Sequence, residues 1–160
     1  MIEVRFHGRG GQGAKVASRI LGHSGILAGL YAQDFALFGA ERRGAPVVSF
    51  TRLSAEPIDR RGEIERPDLL IVLDAALLKE APGQVYRGVH RTTPLVVNAD
   101  PQLFSPATLP TADYRALDMQ RIAQEHIGRS FVSAIAAAVA AKQIAAIDVE
   151  QLAVALRHEL

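Results

Sequence analysis

The chain has 160 residues and a mass of 17.2 kDa, which fits one domain spanning residues 1–160 with enough length for a full core. Hydrophobic residues make up 49% and charged residues 22%, so a disordered chain is excluded. With no cysteine, the chain has no disulfide, no thiolate zinc site and no iron–sulfur cluster on its own thiolates.

No stretch without charge or His is longer than the 12 residues between Arg129 and Lys142. A membrane-spanning helix needs about 20. Met1–Phe6 has no apolar signal-peptide region. A cytoplasmic protein without a membrane partner is expected. Net charge is +1, with 10 Lys/Arg against 7 Asp/Glu in residues 1–66 and 8 against 10 in residues 67–160. A mildly basic first part suits a small anion better than a nucleic-acid backbone, which demands a dense basic face.

Ile2–Phe6 reads as a first strand that ends in glycine. Gly8–Gly13 is a glycine loop. From Gly13 to Gly29, Val16, Ala17, Ile20, Leu21 and Leu27 follow helical spacing. Leu30–Ala36 is a weak second strand, and Val47–Leu53, rich in β-branched and aromatic residues, is the third. Pro57–Pro67 is a charged loop centred on Arg60-Arg61-Gly62. Asp68–Leu73 is nearly all apolar, the pattern of a parallel strand buried on both faces. A short helix over Ala75–Glu80 is stopped by Pro82-Gly83.

Leu95–Asn98 reads as another buried strand and Tyr114–Leu117 as a short one after a proline-rich connection. Asp118 suits the N-cap of a helix over Met119–Ile127, broken by Gly128. Ser130–Gln143 is apolar almost all round, a largely buried helix. Asp148 caps a last amphipathic helix, Val149–His158. Strands alternating with helices predict the α/β class: one Rossmann-like, open, mostly parallel sheet flanked by helices.

Gly8-Arg9-Gly10-Gly11-Gln12-Gly13 satisfies G-x-G-x-x-G between a predicted strand and a predicted helix. Glycines let the backbone turn tightly and approach a ligand, and free N–H groups at a helix start face an anion. The loop reads as an anion or nucleotide contact; a tight turn without a ligand is the alternative. Dinucleotide binding also needs an acidic residue about 20 positions on. Asp34 and Glu41 are the candidates. Before the third strand, Arg42 and Arg43 stand between Gly39 and Gly44. Their forked donors suit phosphate or carboxylate, or they belong to a solvated basic loop.

Other residues carry bland readings. His7 reads as a packed histidine, Asp74 as an N-cap, and Arg60 and Arg61 as a solvated turn. The five histidines lack metal-ligand spacing, so no metal site is expected. Lys15 lacks a P-loop frame, and no serine sits in a nucleophile elbow. No nucleophile, base and orienter assemble, so no catalytic residue is assigned and the chain is not a complete enzyme.

The order of these motifs is familiar. Gly8-Arg9-Gly10-Gly11-Gln12-Gly13, then Tyr31-Ala32-Gln33, then Phe38-Gly39-Ala40-Glu41-Arg42-Arg43-Gly44-Ala45-Pro46 and Val48-Ser49-Phe50-Thr51-Arg52 resembles the gamma subunit of the 2-oxoacid:ferredoxin oxidoreductases. Pro67–Asp74, Val96-Val97-Asn98 and the Asp118–Gly128 run are similar to that family too, so the resemblance covers essentially the whole chain. Two departures stand out: Ser133 and Ala136–Val139 replace the asparagine and Leu-Gly-Ala stretch common there, and Arg9 replaces other residues.

The resemblance implies a complex that converts a 2-oxoacid and coenzyme A to acyl-CoA and carbon dioxide. Two electrons pass to ferredoxin or, through a flavin subunit, to NAD. Thiamine diphosphate and [4Fe-4S] clusters are implied on partner alpha, beta and ferredoxin-like delta subunits, and none on this chain. It also implies that a domain of this type helps receive coenzyme A and closes over the active site, with Gly8, Gly10, Gly11, Gln12, Gly13, Arg42 and Arg43 expected to contact the coenzyme or line the passage to thiamine diphosphate. Two rival readings are a free-standing NAD- or FAD-binding module, with Asp34 on the ribose, and a purely structural subunit.

Overall fold

The computed structural model describes residues 1–38, 44–106 and 108–160, with Phe38 described by its backbone alone. In chain order the elements are β1 (Ile2–Arg9), α1 (Ala14–Leu27), β2 (Tyr31–Phe38), β3 (Pro46–Ser54), β4 (Leu69–Val72), α2 (Leu77–Glu80), α3 (Pro82–Val85), β5 (Leu95–Asn98), β6 (Tyr114–Leu117), α4 (Met119–Ile127), α5 (Val132–Lys142) and α6 (Val149–Glu159). The strands form one sheet in the order β2-β3-β1-β4-β5-β6. β1, β4, β5 and β6 pair in parallel, and β3 runs antiparallel to both β1 and β2. Only β3 opposes the common direction, so the predicted α/β, mostly parallel sheet stands.

β1 organises the molecule because its two faces meet different surroundings. Successive side chains alternate across a strand. Val4 and Phe6 join the larger core, where Ala17, Ile20 and Leu21 of α1 and Ala136, Ala137 and Ala140 of α5 cover the sheet. The alanines keep the α5 backbone close to the strands. The small residues also explain why a helix apolar all round is buried there. On the opposite face, Leu70, Val72, Leu95 and Val97 pack under Leu77, Leu78 and Val85 of α2 and α3. Helices therefore flank both faces.

The same opposite face carries Glu3, Arg5 and His7, all buried. Buried charge needs partners. Arg52 of β3 is 1% exposed; it donates to Glu3 Oε1 at 2.8 Å, to Gln33 Oε1 at 2.7 Å and to the Gly62 carbonyl at 2.9 Å. Arg5 donates to the carbonyls of Ile64, Val85 and Arg87. These arginines anchor the charged 57–67 loop, whose Ile64 fills a small core with Val48 and Phe50. Arg60 and Arg61 are both exposed as expected, and Arg60 also reaches Glu3 Oε2 at 3.2 Å.

Several boundaries differ from the sequence reading. β1 does not stop at Phe6: Gly8 and Arg9 pair with Val47 and Pro46, so antiparallel pairing to β3 prolongs it. β2 is shifted to Tyr31–Phe38 by the same ladder. The short helix ends at Glu80 as expected, because Pro82 disfavours the α region at the residue before it. The break falls at Ala81 (φ −135°, ψ 50°), and Pro82 opens the next turn at a position that suits its missing N–H. α5 starts at Val132 and ends at Lys142, inside the expected Ser130–Gln143. The expected bounds of β5, β6 and α4 stand, with Asp118 capping α4 and Gly128 ending it at φ 75°. α6 runs one residue beyond His158, and Asp148 caps it in a full capping box.

Candidate functional site

Ligands in open α/β sheets bind outside the carboxyl ends of strands, where neighbouring connections leave on opposite faces. β1 continues into α1 on one face, and the adjacent parallel strand β4 continues into α2 and α3 on the other. The crevice between their ends is where Gly10–Gly13 and the Leu73-Asp74 turn meet.

Gln12 ties the two together. The Arg9 N–H donates to its Oε1 at 2.7 Å, and its Nε2 donates to Asp74 Oδ2 at 3.1 Å. Arg9 Nε donates to the same oxygen at 2.8 Å and Nη2 to Glu80. The Ala76 N–H donates to Asp74 Oδ1 at 3.0 Å. Partial burial opposes the Asp74 charge. The donors Arg9, Ala76 and Gln12 together outweigh it and hold the carboxyl below its ordinary range. Asp74, read from sequence as an N-cap, does cap the turn, and it is also the hub of the site. Hydrogen bonds to Asp74 and Glu80 raise the Arg9 pKa.

Gly8 sits in β1 beside this clamp: a Cβ there would lie 3.3 Å from Ala14 Cβ and 3.4 Å from Gln12 Oε1. Gly11 and Gly13 turn the loop with φ of 94° and 84°. At Gly13 a Cβ would also lie 2.8 Å from Ser133 Cβ, so the loop rests on the start of α5. The Gly10 N–H is taken up by the Ala45 carbonyl at 2.9 Å, and Gly44 N–H donates back to Gly10 at 3.3 Å. The glycine loop and the Gly44-Ala45 approach to β3 thus lie side by side. Arg42 and Arg43, with Glu41, lie outside the described residues.

Among the described residues, the N–H groups of Gly11 and Gly13 have no partner. α1 has no side-chain cap and no acidic residue in its first turn. Unpaired donors at the positive end of a 14-residue helix favour a negative group. Asn98, which sequence reasoning placed only at a strand end, braces the floor. It donates to the Leu73 carbonyl at 3.0 Å and accepts from the Met119 N–H at 2.9 Å.

Asp34 is not at this site. Through Thr51 it is level with Val4, four residues below Gly8, or about 13 Å along the strand. β3 also separates β2 from β1. Asp34 instead faces Gly22 of α1, where burial raises its pKa. His7 is packed as expected: it is buried, its Nε2 has no partner, and burial beside Arg5 pushes its pKa down to about 3. No described helix is long and apolar enough to cross a membrane.

With this geometry in hand, comparison with known proteins is informative. Residues 3–160 match the family model described as pyruvate ferredoxin/flavodoxin oxidoreductase. The pyruvate/ketoisovalerate oxidoreductases common subunit gamma of Thermococcus litoralis is 36% identical over 160 residues, covering 98% of this chain and 85% of that protein. The crystal structure of pyruvate oxidoreductase subunit PORC from Thermotoga maritima superposes with a TM-score of 0.80 at 27% identity, covering 99% of this chain and 85% of that one. The fold alone recurs, at 19% identity and a TM-score of 0.77, within the 2-oxoglutarate:ferredoxin oxidoreductase of Magnetococcus marinus solved with 2-oxoglutarate, coenzyme A and succinyl-CoA. There it covers 99% of this chain and 27% of that one. The chain therefore belongs to the pyruvate ferredoxin/flavodoxin oxidoreductase family, as a subunit of the gamma type.

Proposed function

We propose that this gamma subunit receives coenzyme A for a complex that oxidatively decarboxylates a 2-oxoacid to its acyl-CoA, and that it closes over the active site. The observation that carries the reading is the pair of N–H groups on Gly11 and Gly13, unpartnered among the described residues, at an uncapped helix start in the crevice between β1 and β4. The coenzyme's phosphates are the anionic groups such donors suit. Arg42 and Arg43 follow in sequence on the approach to β3, where forked donors would add charge-assisted bonds.

Each site residue has a distinct part in this reading. Gly8 and Gly10 keep the backbone close-packed and registered on β3. Gln12, with its amide engaged on both sides, holds the loop shape against Asp74. Gly11 and Gly13 present donors. None of them makes or breaks a bond. Thiamine diphosphate on a partner subunit supplies the electron sink that lets the carboxylate leave. The clusters that take the two electrons also reside on partners, in keeping with a chain that contains no cysteine. Alpha, beta and ferredoxin-like delta subunits are the proposed partners, with ferredoxin or a flavin subunit as acceptor.

Asp34 lies away from the glycine loop, which leaves the dinucleotide-binding alternative with Glu41, outside the described residues. The test uses the assembled complex carrying Arg42→Ala/Arg43→Ala or Gly11→Ala. A methyl at Gly11 meets nothing within 4 Å, but an alanine at φ 94° is strained, so this variant acts by shifting the loop backbone and its donors. The apparent KM for coenzyme A is expected to rise about ten- to a hundredfold, the value of one charge-assisted hydrogen bond. An unchanged KM in both complexes would assign the loop to subunit packing.

A further inference from the structure

The helix pair on the other side of α1 from the glycine loop holds a cluster that the reaction does not use. His23 lies ten residues along α1 from Gly13, roughly 15 Å away. His158 and Glu159 end α6, which packs against α1. Glu159 Oε1 is 3.3 Å from His158 Nδ1 and 3.8 Å from His23 Nδ1. The second distance is too long for a hydrogen bond. One ligand atom from each of the three residues lies within 4.8 Å of the others. The imidazoles meet edge to face, with centroids 4.7 Å apart and planes at 85°.

We propose that His23, His158 and Glu159 bind a divalent transition-metal ion, best matched by Zn2+. Zinc holds nitrogen and carboxylate oxygen at about 2.0–2.2 Å, so adjacent ligands of a tetrahedral site are about 3.4 Å apart. The two measured separations bracket that edge. Two imidazoles and one carboxylate are a borderline donor set of the kind zinc takes, with a fourth position left for water. The carboxylate is also oriented from behind. Arg19 Nε pairs with Oε2 of Glu159 and leaves Oε1 directed at the imidazoles, as outer-sphere partners do for ligating carboxylates. Asp34, close enough to interact electrostatically with both Arg19 and Glu159, adds negative charge behind the cluster.

Bound there, the ion staples the last turn of α6 to α1. The inference is independent of the coenzyme A reading, because none of its residues touches the glycine loop.

The test is calorimetric titration of the untagged full chain, stripped with chelator, with ZnCl2. One ion per chain is expected. The melting temperature should rise by roughly 5–10 °C when free ion is a hundredfold above Kd. Co2+ in place of zinc should show the absorption bands of a tetrahedral site. His23→Ala and His158→Ala should each weaken binding at least about tenfold, while His126→Ala on α4 leaves it unchanged. Melting curves of the stripped variants report folding separately, and His23→Gln replaces His23→Ala if that variant is unstable. Kd above about 1 mM, or undiminished binding in the His23→Ala/His158→Ala double variant, overturns the proposal.

Discussion

One face of β1 carries two arginine networks that look alike in sequence and differ in what surrounds them. At the N-terminal end, Arg52 and Arg5 spend their donors on Glu3, Gln33 and a row of loop carbonyls, and both are almost fully buried. At the C-terminal end, Arg9 spends its donors on Asp74 and Glu80, and its side chain is 23% exposed. The first network turns inward, with Arg5 Nε a buried donor left without a partner among the described residues, and locks the 57–67 loop to the sheet. The second holds Gln12 and so shapes a loop whose Gly11 and Gly13 donors stay open. Residue type does not separate structure from site here. Burial and open donors on the loop backbone do.

The comparison breaks most visibly at Arg52. Arg52→Ala leaves Glu3 buried, with only the edge-on Arg60 as a cation and the Gly62 and Glu63 carbonyls stripped of their donor. Removing one partner of a buried pair costs about 3–5 kcal/mol. Denaturant unfolding should show that loss, while complexes assembled below the new midpoint keep the KM for coenzyme A. A stability change under about 1 kcal/mol would mean that the network does not lock the loop to the sheet, and the contrast with Arg9 would fail.

His7 adds a pH dependence to the buried network. Burial first, then the Arg5 charge, depresses its pKa to about 3. The folded state therefore keeps the imidazole neutral, and the unfolded chain takes up the proton first as pH falls. Its contribution is intact above about pH 6.5 and is lost progressively down to about pH 3, roughly 5 kcal/mol across that window. His7→Leu should flatten the acid limb of the stability curve there and change little at pH 7.5. A limb of unchanged slope would show that another group carries the acid sensitivity.

Sequence alone was informative where a local rule decides the outcome. Asp118, Gly128 and Asp148 mark helix ends by capping chemistry, and they stand where expected. The all-apolar runs give buried strands because helices cover both faces of these parallel strands. Elements set by long-range pairing were less legible. β1 reaches Arg9 only because β3 lies beside it, and nothing local in Gly8-Arg9 shows that. In the same way, Asp34 has the right spacing for a ribose contact but the wrong strand order. Asp74 reads as a cap because its sequence neighbours are alanines. Its role as hub comes from Arg9 and Gln12, more than 60 residues earlier.

The smallest effect, and the finest test of the contrast, is at Asp74. Asp74→Asn keeps an oxygen for the Ala76 N–H but gives up the charged acceptor shared by Arg9 and Gln12. Glu80 still holds Arg9, and the site is near the surface, so stability should fall by no more than about 1 kcal/mol. The loop, freed from its clamp, should present Gly11 and Gly13 less well, and the KM for coenzyme A should rise severalfold with kcat nearly unchanged. Because the Asp74 pKa is depressed, its contribution is present above the unfolded value of 3.8 and is lost only as pH falls through the still lower folded value. The KM ratio of variant to parent should therefore stay flat from about pH 5 to 8. A ratio that drifts across that range would mean that a different group clamps Gln12, and the exposed network would then owe its shape to something other than the Arg9–Asp74 pair.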